Sequence, residues 1–386
     1  MTEIWVPYGP VEVSFDIKQE NLSQILEPQP KRLPKEDIDQ KAHESDGFDS
    51  ILVLSGTNGV VQVIDALFSE NKTITKIIYP KALGALARRK AQEFQVSTVE
   101  ELNTEDLREV GIVDGTPGKL FSQVQQGSNL AVLTSVHYDP LFGLSGAASD
   151  LLCLSPQLKS EAFKRSVEEL PCLPSKSAAS WYATRMLQTC PNVNVVEIVE
   201  RSVGGALSFF SGEPEATHAK VLDFWKSSLS ISLSNRAERT IFGCGGGEND
   251  KTLTDALARA FFNIVQNVAL KDSGAKVCML AECAKGLGSE ALLRYVTGRF
   301  TPGAKLDQVS YFDGLEVLLS FYKVQGDLEL AMVSTLPRYY GEKFQFKMYS
   351  GAKEAPSSVV SPGSRAKVLV IPDASSSAIT PQPESA

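Results

Sequence analysis

The chain has three histidines, His43, His137 and His218, the residues whose side chains change charge nearest neutral pH. Of these only His137 stands beside a turn suited to a ligand. It opens the run His137-Tyr138-Asp139-Pro140-Leu141-Phe142, which reads as a strand leaving the core and turning into Gly143-Leu144-Ser145-Gly146. His137 and Asp139 are therefore the candidate proton-transfer groups, able to serve a substrate held at that turn as general acid or base. A hydrogen-bonded structural histidine near a strand end fits the same residues. His218 lies at a helix start beginning near Glu213 and reads as surface or core filling, and His43 sits in a charged loop.

Two further glycine turns follow apolar runs. Thr240-Ile241-Phe242 leads into Gly243–Gly247, and Ala275–Leu280 leads towards Gly286-Leu287-Gly288-Ser289-Glu290. Turns at the carboxyl end of a strand and the start of a helix are where α/β proteins hold ligands, and free N–H groups there suit anions. Gly245, Gly246, Gly247, Gly286 and Gly288 are accordingly candidate ligand-binding residues, with Ser145 and Gly146 at the first turn. Lys251-Thr252 is like the end of a phosphate loop, but Asp250 stands where glycine is required, and the dinucleotide spacing fails as well. A tight structural turn fits each of these segments too. No nucleophile elbow of the Gly-x-Ser-x-Gly type appears. The six cysteines form no Cys-x-x-Cys pair and the histidines are far apart, so no metal-ligand set is expected and the cysteines read as reduced and structural.

The elements that must position these residues alternate. Ile51-Leu52-Val53-Leu54, Lys76-Ile77-Ile78-Tyr79 and Leu130-Ala131-Val132-Leu133 are short apolar runs, the first two followed by helical patterns. The same grammar resumes at Thr240, with further strands at Leu328–Val333 and Lys367–Ile371. Such alternation predicts an α/β fold with largely parallel sheets. At 386 residues two domains are expected, 1–236 and 237–374, with a boundary near Asn235–Glu238 and a disordered Ser/Pro-rich tail over 375–386. Glu12–Ile17 alternates as a half-buried strand, and Glu27–Lys41 reads as a surface connection. A hydrophobic content of 43%, a charged content of 22% and a net charge of −8 suit a soluble globular protein and speak against a nucleic-acid surface. No apolar run approaches a membrane span and no secretory signal precedes the first strand, so a cytoplasmic location is expected.

Several blocks, taken in order, resemble the nickel-pincer lactate racemase family. They are Trp5-Val6-Pro7-Tyr8-Gly9, the Gly143 turn, Ser208–Gly212 with His218 after it, Gly245-Gly246 leading to Asp250, the Gly286 turn, and Val370-Ile371-Pro372-Asp373. The resemblance implies two domains flanking a cleft that holds a nickel-pincer nucleotide derived from nicotinic acid. It also implies hydride removal from the α-carbon of a 2-hydroxy acid while histidines move the hydroxyl proton. Gly143–Gly146 and Gly245–Gly247 would line that interdomain cleft around a small-molecule ligand. The chain departs from the family at its functional positions. Asn58 replaces the substrate-clamping arginine, which an amide cannot mimic on a carboxylate. Tyr79-Pro80-Lys81-Ala82-Leu83 lacks the expected histidine, Ser149 replaces the tethering lysine, and Arg165 falls at the nickel-ligating histidine. Asp255 and Ala258 replace a glutamine and a lysine, while Asp139 aligns with a catalytic histidine unless an insertion at Asp139-Pro140 restores His137. The expectation is a divergent lactate-racemase-like scaffold with altered or lost racemase activity, and the alternative is a non-catalytic small-molecule or nucleotide-binding protein.

Overall fold

A computed structural model describes the chain except residues 29, 46, 72, 127–128, 175–176, 202–203, 234–236, 268–273, 304–309, 327 and 382–386. The fold is α/β and divides into two compact units, Pro30–Trp225 and Met1–Gln29 with Lys226–Ala386. This differs from the expected division at 236, because the first residues join the C-terminal unit. Leu22–Ile25 pairs in parallel with Val368–Ile371. The hairpin of Thr2–Tyr8 and Val11–Ile17 buries Ile4, Val6, Phe15 and Ile17 in one core with Ile241, Leu280 and Val370. Residues 234–236 of the expected boundary lie outside the described residues.

In the unit Pro30–Trp225 a six-stranded sheet runs in the order Gly205–Gly212, Val193–Arg201, Leu130–Ser135, Ser50–Val53, Lys76–Tyr79, Thr98–Glu101. All neighbours are parallel except the first two strands. Ser50–Val53 and Leu130–Ser135 are buried along their whole length, which is why they read as continuous apolar runs. The chain lays strands outward from Ser50–Val53, then returns to its other side at Leu130–Ser135. Strand order therefore reverses between these two, at the kind of point where open α/β sheets hold their ligands. The helix Asn58–Glu70 covers the sheet with Val60, Val63, Ile64 and Leu67.

A helix and a hairpin are among the elements of this unit that the sequence reading missed. Within the expected surface connection at Glu27–Lys41 a helix begins, Lys35–Glu44, whose buried positions are only Ile38 and Ala42 among charged neighbours. The hairpin of Leu107–Val113 and Thr116–Phe121 turns on Asp114-Gly115, both at positive φ. An Asp-Gly pair in a two-residue loop is a strong hairpin signal that was present and unused.

The other unit carries a six-stranded, all-parallel sheet in the order Lys347–Tyr349, Glu329–Val333, Lys276–Leu280, Arg239–Gly243, Val368–Ile371, Leu22–Ile25. Its strand order reverses between Arg239–Gly243 and Val368–Ile371, where the turn Gly243–Gly247 leaves the sheet. The helix after this turn starts at Leu253 and continues through a π-helical turn, Leu257–Phe261, to Asn267. The tail is a correction over 375–381. Ser376 and Ser377 are buried, the buried Asn263 donates to the carbonyls of Ala374 and Ser377, and Ala378–Pro381 pairs in parallel with Ser230–Leu233. A Ser/Pro-rich composition missed this because the anchoring amide lies more than a hundred residues upstream. Residues 382–386 lie outside the described set. Among the described residues no helix is long and apolar enough to cross a membrane.

Gly243 tests how tightly the N-terminal hairpin is seated. A Cβ there would lie 2.1 Å from Val6 Cγ1 and 2.4 Å from the Pro372 carbonyl oxygen. Gly243→Ala is expected to cost about 1–3 kcal/mol or more by overpacking, read as a lower urea midpoint at unchanged slope. An unchanged midpoint would show that the hairpin yields instead.

Candidate functional site

At the strand-order reversal of the unit Pro30–Trp225, His137–Asp139 pairs with Gly143–Ser145 as a short antiparallel hairpin. Asp139 closes its tip, with Oδ1 accepting the N–H groups of Leu141 at 2.8 Å and Phe142 at 3.1 Å. His137 is partly buried, with Nδ1 3.2 Å from the Ser135 carbonyl oxygen and Nε2 3.9 Å from Asp150 Oδ1. Asp150 gathers the neighbouring hydroxyls. Ser145 donates to its Oδ1 at 2.6 Å and Thr134 to its Oδ2 at 2.5 Å. Ser149 is buried and its hydroxyl accepts from the Gly146 N–H at 2.8 Å, donates to the Gly146 carbonyl at 3.0 Å, and meets Ser145 Oγ at 2.9 Å. His137, Ser145, Gly146 and Ser149 thus converge around Asp150, a residue that sequence reasoning left out.

A second carboxylate lies deeper. Glu197 is 2% exposed, in the strand Val193–Arg201. It accepts the Ala147 N–H at 2.8 Å on Oε1 and holds His218 Nδ1 at 2.9 Å on Oε2. Burial pushes the His218 imidazole down. The Glu197 charge and hydrogen bond outweigh that, with smaller help from Asp150 and the Leu144 carbonyl, and hold its pKa above the ordinary value. His218 is therefore an organised part of this site and not the filler that its sequence suggested. The signal for Glu197 was available: one carboxylate in the apolar run Val195-Val196-Glu197-Ile198-Val199 must have a partner if the strand is buried. Three residues on, Glu200 accepts the Gly59 N–H at 2.8 Å. Asn58, the expected replacement for the clamp, is exposed at the first position of that helix.

In the other unit the two remaining glycine turns meet. The N–H groups of Leu253 and Thr254 donate to the carbonyls of Gly286 at 2.9 Å and Leu287 at 3.0 Å, and a Cβ on Gly288 would strike the Thr252 hydroxyl. Gly245, Gly246 and Gly247 all have positive φ, and the Gly247 N–H donates to the Gly9 carbonyl at 2.8 Å. Thr252 caps the helix, and Asp255, three residues on, completes a capping box by taking both the N–H and the hydroxyl of Thr252 on Oδ2. Asp250, fully buried, takes the N–H groups of Gly9 at 2.9 Å and Glu282 at 3.0 Å on Oδ2. Burial raises its pKa, and those two N–H groups pull it partly back. The residue that breaks a phosphate-loop pattern is thus a tie between three backbone segments.

These residues do not fit the tethered nickel nucleotide that the resemblance implies. Ser149 offers a hydroxyl committed to the Gly146 backbone and Ser145, with no amine for a tether. The Arg165 guanidinium donates to the Glu161 carbonyl and Thr116 Oγ1 and lies 3.8 Å above the Tyr182 ring, and a guanidinium is a donor without a lone pair to offer a metal. None of the six cysteines forms a disulfide, and burial pushes the thiols of Cys172 and Cys278 up to about 11 and about 12.

The fold is similar to that of the lactate racemase apoprotein from Thermoanaerobacterium thermosaccharolyticum, with a TM-score of 0.76 and 17% identity, covering 98% of this chain and 100% of that one. It is also similar to a crystal structure of a protein from Thermotoga maritima, with a TM-score of 0.65 and 9% identity, covering 92% and 100%. At these identities the likeness concerns the fold alone. No protein-family model matches the sequence, and no curated protein matches it.

The Glu197–His218 pair sets a pH dependence with a definite sign. A histidine whose folded pKa is raised contributes stability that is complete below its unfolded value of about 6.5 and is lost as pH rises through the folded value. Urea unfolding of the native chain should therefore show this contribution fading above about pH 6.5. In Glu197→Gln that slope should flatten and stability at low pH should fall by about 1–3 kcal/mol. An identical pH profile in the variant would show that the pair carries no such linkage.

Proposed function

We propose that this chain is a divergent lactate-racemase-like protein in which nickel-pincer racemase activity has been lost and the scaffold serves small-molecule binding. The observation that carries the reading is where the backbone N–H groups of the site turns point. Gly59 donates to Glu200, Ala147 to Glu197, and Gly146 to Ser149. Gly9 and Glu282 donate to Asp250, and Thr252 donates to Asp255. Turns of this kind hold a substrate's carboxylate or a cofactor's phosphate when their N–H groups are free. Here internal side chains, mostly carboxylates, occupy them, and an incoming anion would meet like charge at close range.

The replaced side chains support the same reading. A 2-hydroxy acid needs a cationic clamp for its carboxylate, and Asn58 supplies only a neutral amide. Asp139, aligned with a catalytic base, spends Oδ1 on two N–H groups of its own turn. His137 keeps an imidazole 3.9 Å from a carboxylate and is the residue through which an altered proton-transfer activity would run.

The test is to produce the chain together with the enzymes that build the nickel-pincer nucleotide. Intact mass should be that of the unmodified polypeptide, nickel should stay well below one per chain, and enantiopure lactate should keep its configuration. A covalent adduct with one nickel per chain, or racemisation that disappears in His137→Ala at unchanged melting temperature, would overturn the proposal.

A further inference from the structure

The unit Pro30–Trp225 has an open cleft of about 280 Å³ between two helices, Ala178–Gln188 and Pro214–Ser228. Trp181, Arg185 and Gln188 recur at helical spacing and face it from one side, and Glu215, Ala219 and Leu222 do so from the other. Its chemistry is mixed in an ordered way. Trp181 is 47% exposed, an unusual position for an indole unless its face is used. The Arg185 guanidinium lies 5.0 Å from the Trp181 ring centroid and, among the described residues, has no carboxylate partner. Glu215 is held at the opposite end, where Gln188 Nε2 donates to its Oε2 at 2.9 Å and to Glu213 Oε1 at 2.6 Å. Arg185 and Gln188 are three residues apart and so share one face of the helix, with Glu215 tied to that face through Gln188. Ala219 and Leu222 are apolar lining from the other helix.

We infer that this cleft binds a small zwitterion with an aromatic or apolar side chain, of the α-amino-acid class. The carboxylate would take the Arg185 fork, the ammonium would face Glu215, and the side chain would stack on Trp181 against Leu222. A polyanion is disfavoured because Glu215 shares the cleft, and a simple amine is disfavoured because Arg185 does. The volume admits a single small ligand and no nucleotide. The inference does not rest on the racemase question, since Trp181, Arg185, Glu215 and Leu222 take no part in that argument, although His218, which Glu197 holds, also lines the cleft. Nickel retention would overturn that reading and leave this one standing.

The test is calorimetric titration of the full chain with L-phenylalanine, 3-phenylpropionate, which lacks the ammonium, and phenethylamine, which lacks the carboxylate. L-Phenylalanine should bind saturably in the range of about 1 mM or tighter, with each truncated analogue weaker by about tenfold or more. Arg185→Ala and Trp181→Ala should each weaken L-phenylalanine by a similar factor, whereas Trp181→Phe should retain most of the binding. Because both positions are on the protein surface, circular dichroism of the variants should match the native chain. If an alanine variant fails to fold, Arg185→Lys takes its place, and it should also bind weakly because the ammonium has no planar fork. No saturable heat with any probe up to about 10 mM, equal affinity for an analogue lacking one charge, or binding insensitive to Arg185 would overturn the inference.

Discussion

The unit Pro30–Trp225 is organised by the burial of one carboxylate. Glu197 sits inside a strand whose neighbours are apolar, where an unpaired charge would cost several kcal/mol. It is tolerated because two donors from distant segments reach it, the Ala147 N–H and the His218 imidazole. That pairing fixes the hairpin turn, the helix Ala147–Cys153 and the helix Pro214–Ser228 against the same strand. It also explains Gly146. A Cβ there would lie 2.1 Å from Glu197 Oε1 and 2.9 Å from His218 Nδ1, so the glycine is required by the approach of the pair. The motif that first suggested a ligand turn is thus shaped by an internal ion pair.

The same device recurs. Gly59 comes close to Glu200, where an added Cβ would lie 2.5 Å from Oε2, and its N–H is given to that carboxylate. In the other unit Asp250 takes the N–H of Gly9, at the tip of the N-terminal hairpin, and of Glu282. An added Cβ on Gly246 would lie 2.8 Å from the Gly9 carbonyl oxygen. At Gly59, Gly146 and Gly246 the turn is therefore packed by the chain itself. A scaffold can keep its strand order while its ligand-binding turns become structural joints, because fold and function rest on different residues.

Much of the architecture was legible in the sequence. Ser50–Val53, Lys76–Tyr79, Leu130–Ser135, Arg239–Gly243, Lys276–Leu280, Glu329–Val333 and Val368–Ile371 are apolar runs bounded by turn residues, and a parallel strand buried on both faces leaves that trace. Helices with a continuous apolar face, such as Asn58–Glu70, were equally plain. Lys35–Glu44 was not, since two buried positions among charges give little periodic signal. Residue type alone also shows that Ser149 offers no amine and Arg165 no lone pair for a metal.

What sequence by itself could not decide was partnership. Asp139 and His137 looked equivalent as proton-transfer groups until the first was seen closing its own turn. Glu197 and His218 are 21 residues apart, and neither residue announces the other. The first 29 residues belong with the C-terminal unit, and 375–381 is ordered against Asn263. Local sequence determines whether a segment is strand, helix or turn, because propensity and periodicity act over a few residues. Which carboxylate meets which N–H is decided by tertiary packing, because desolvation makes a buried charge choose its partner from whatever the fold brings within 3 Å.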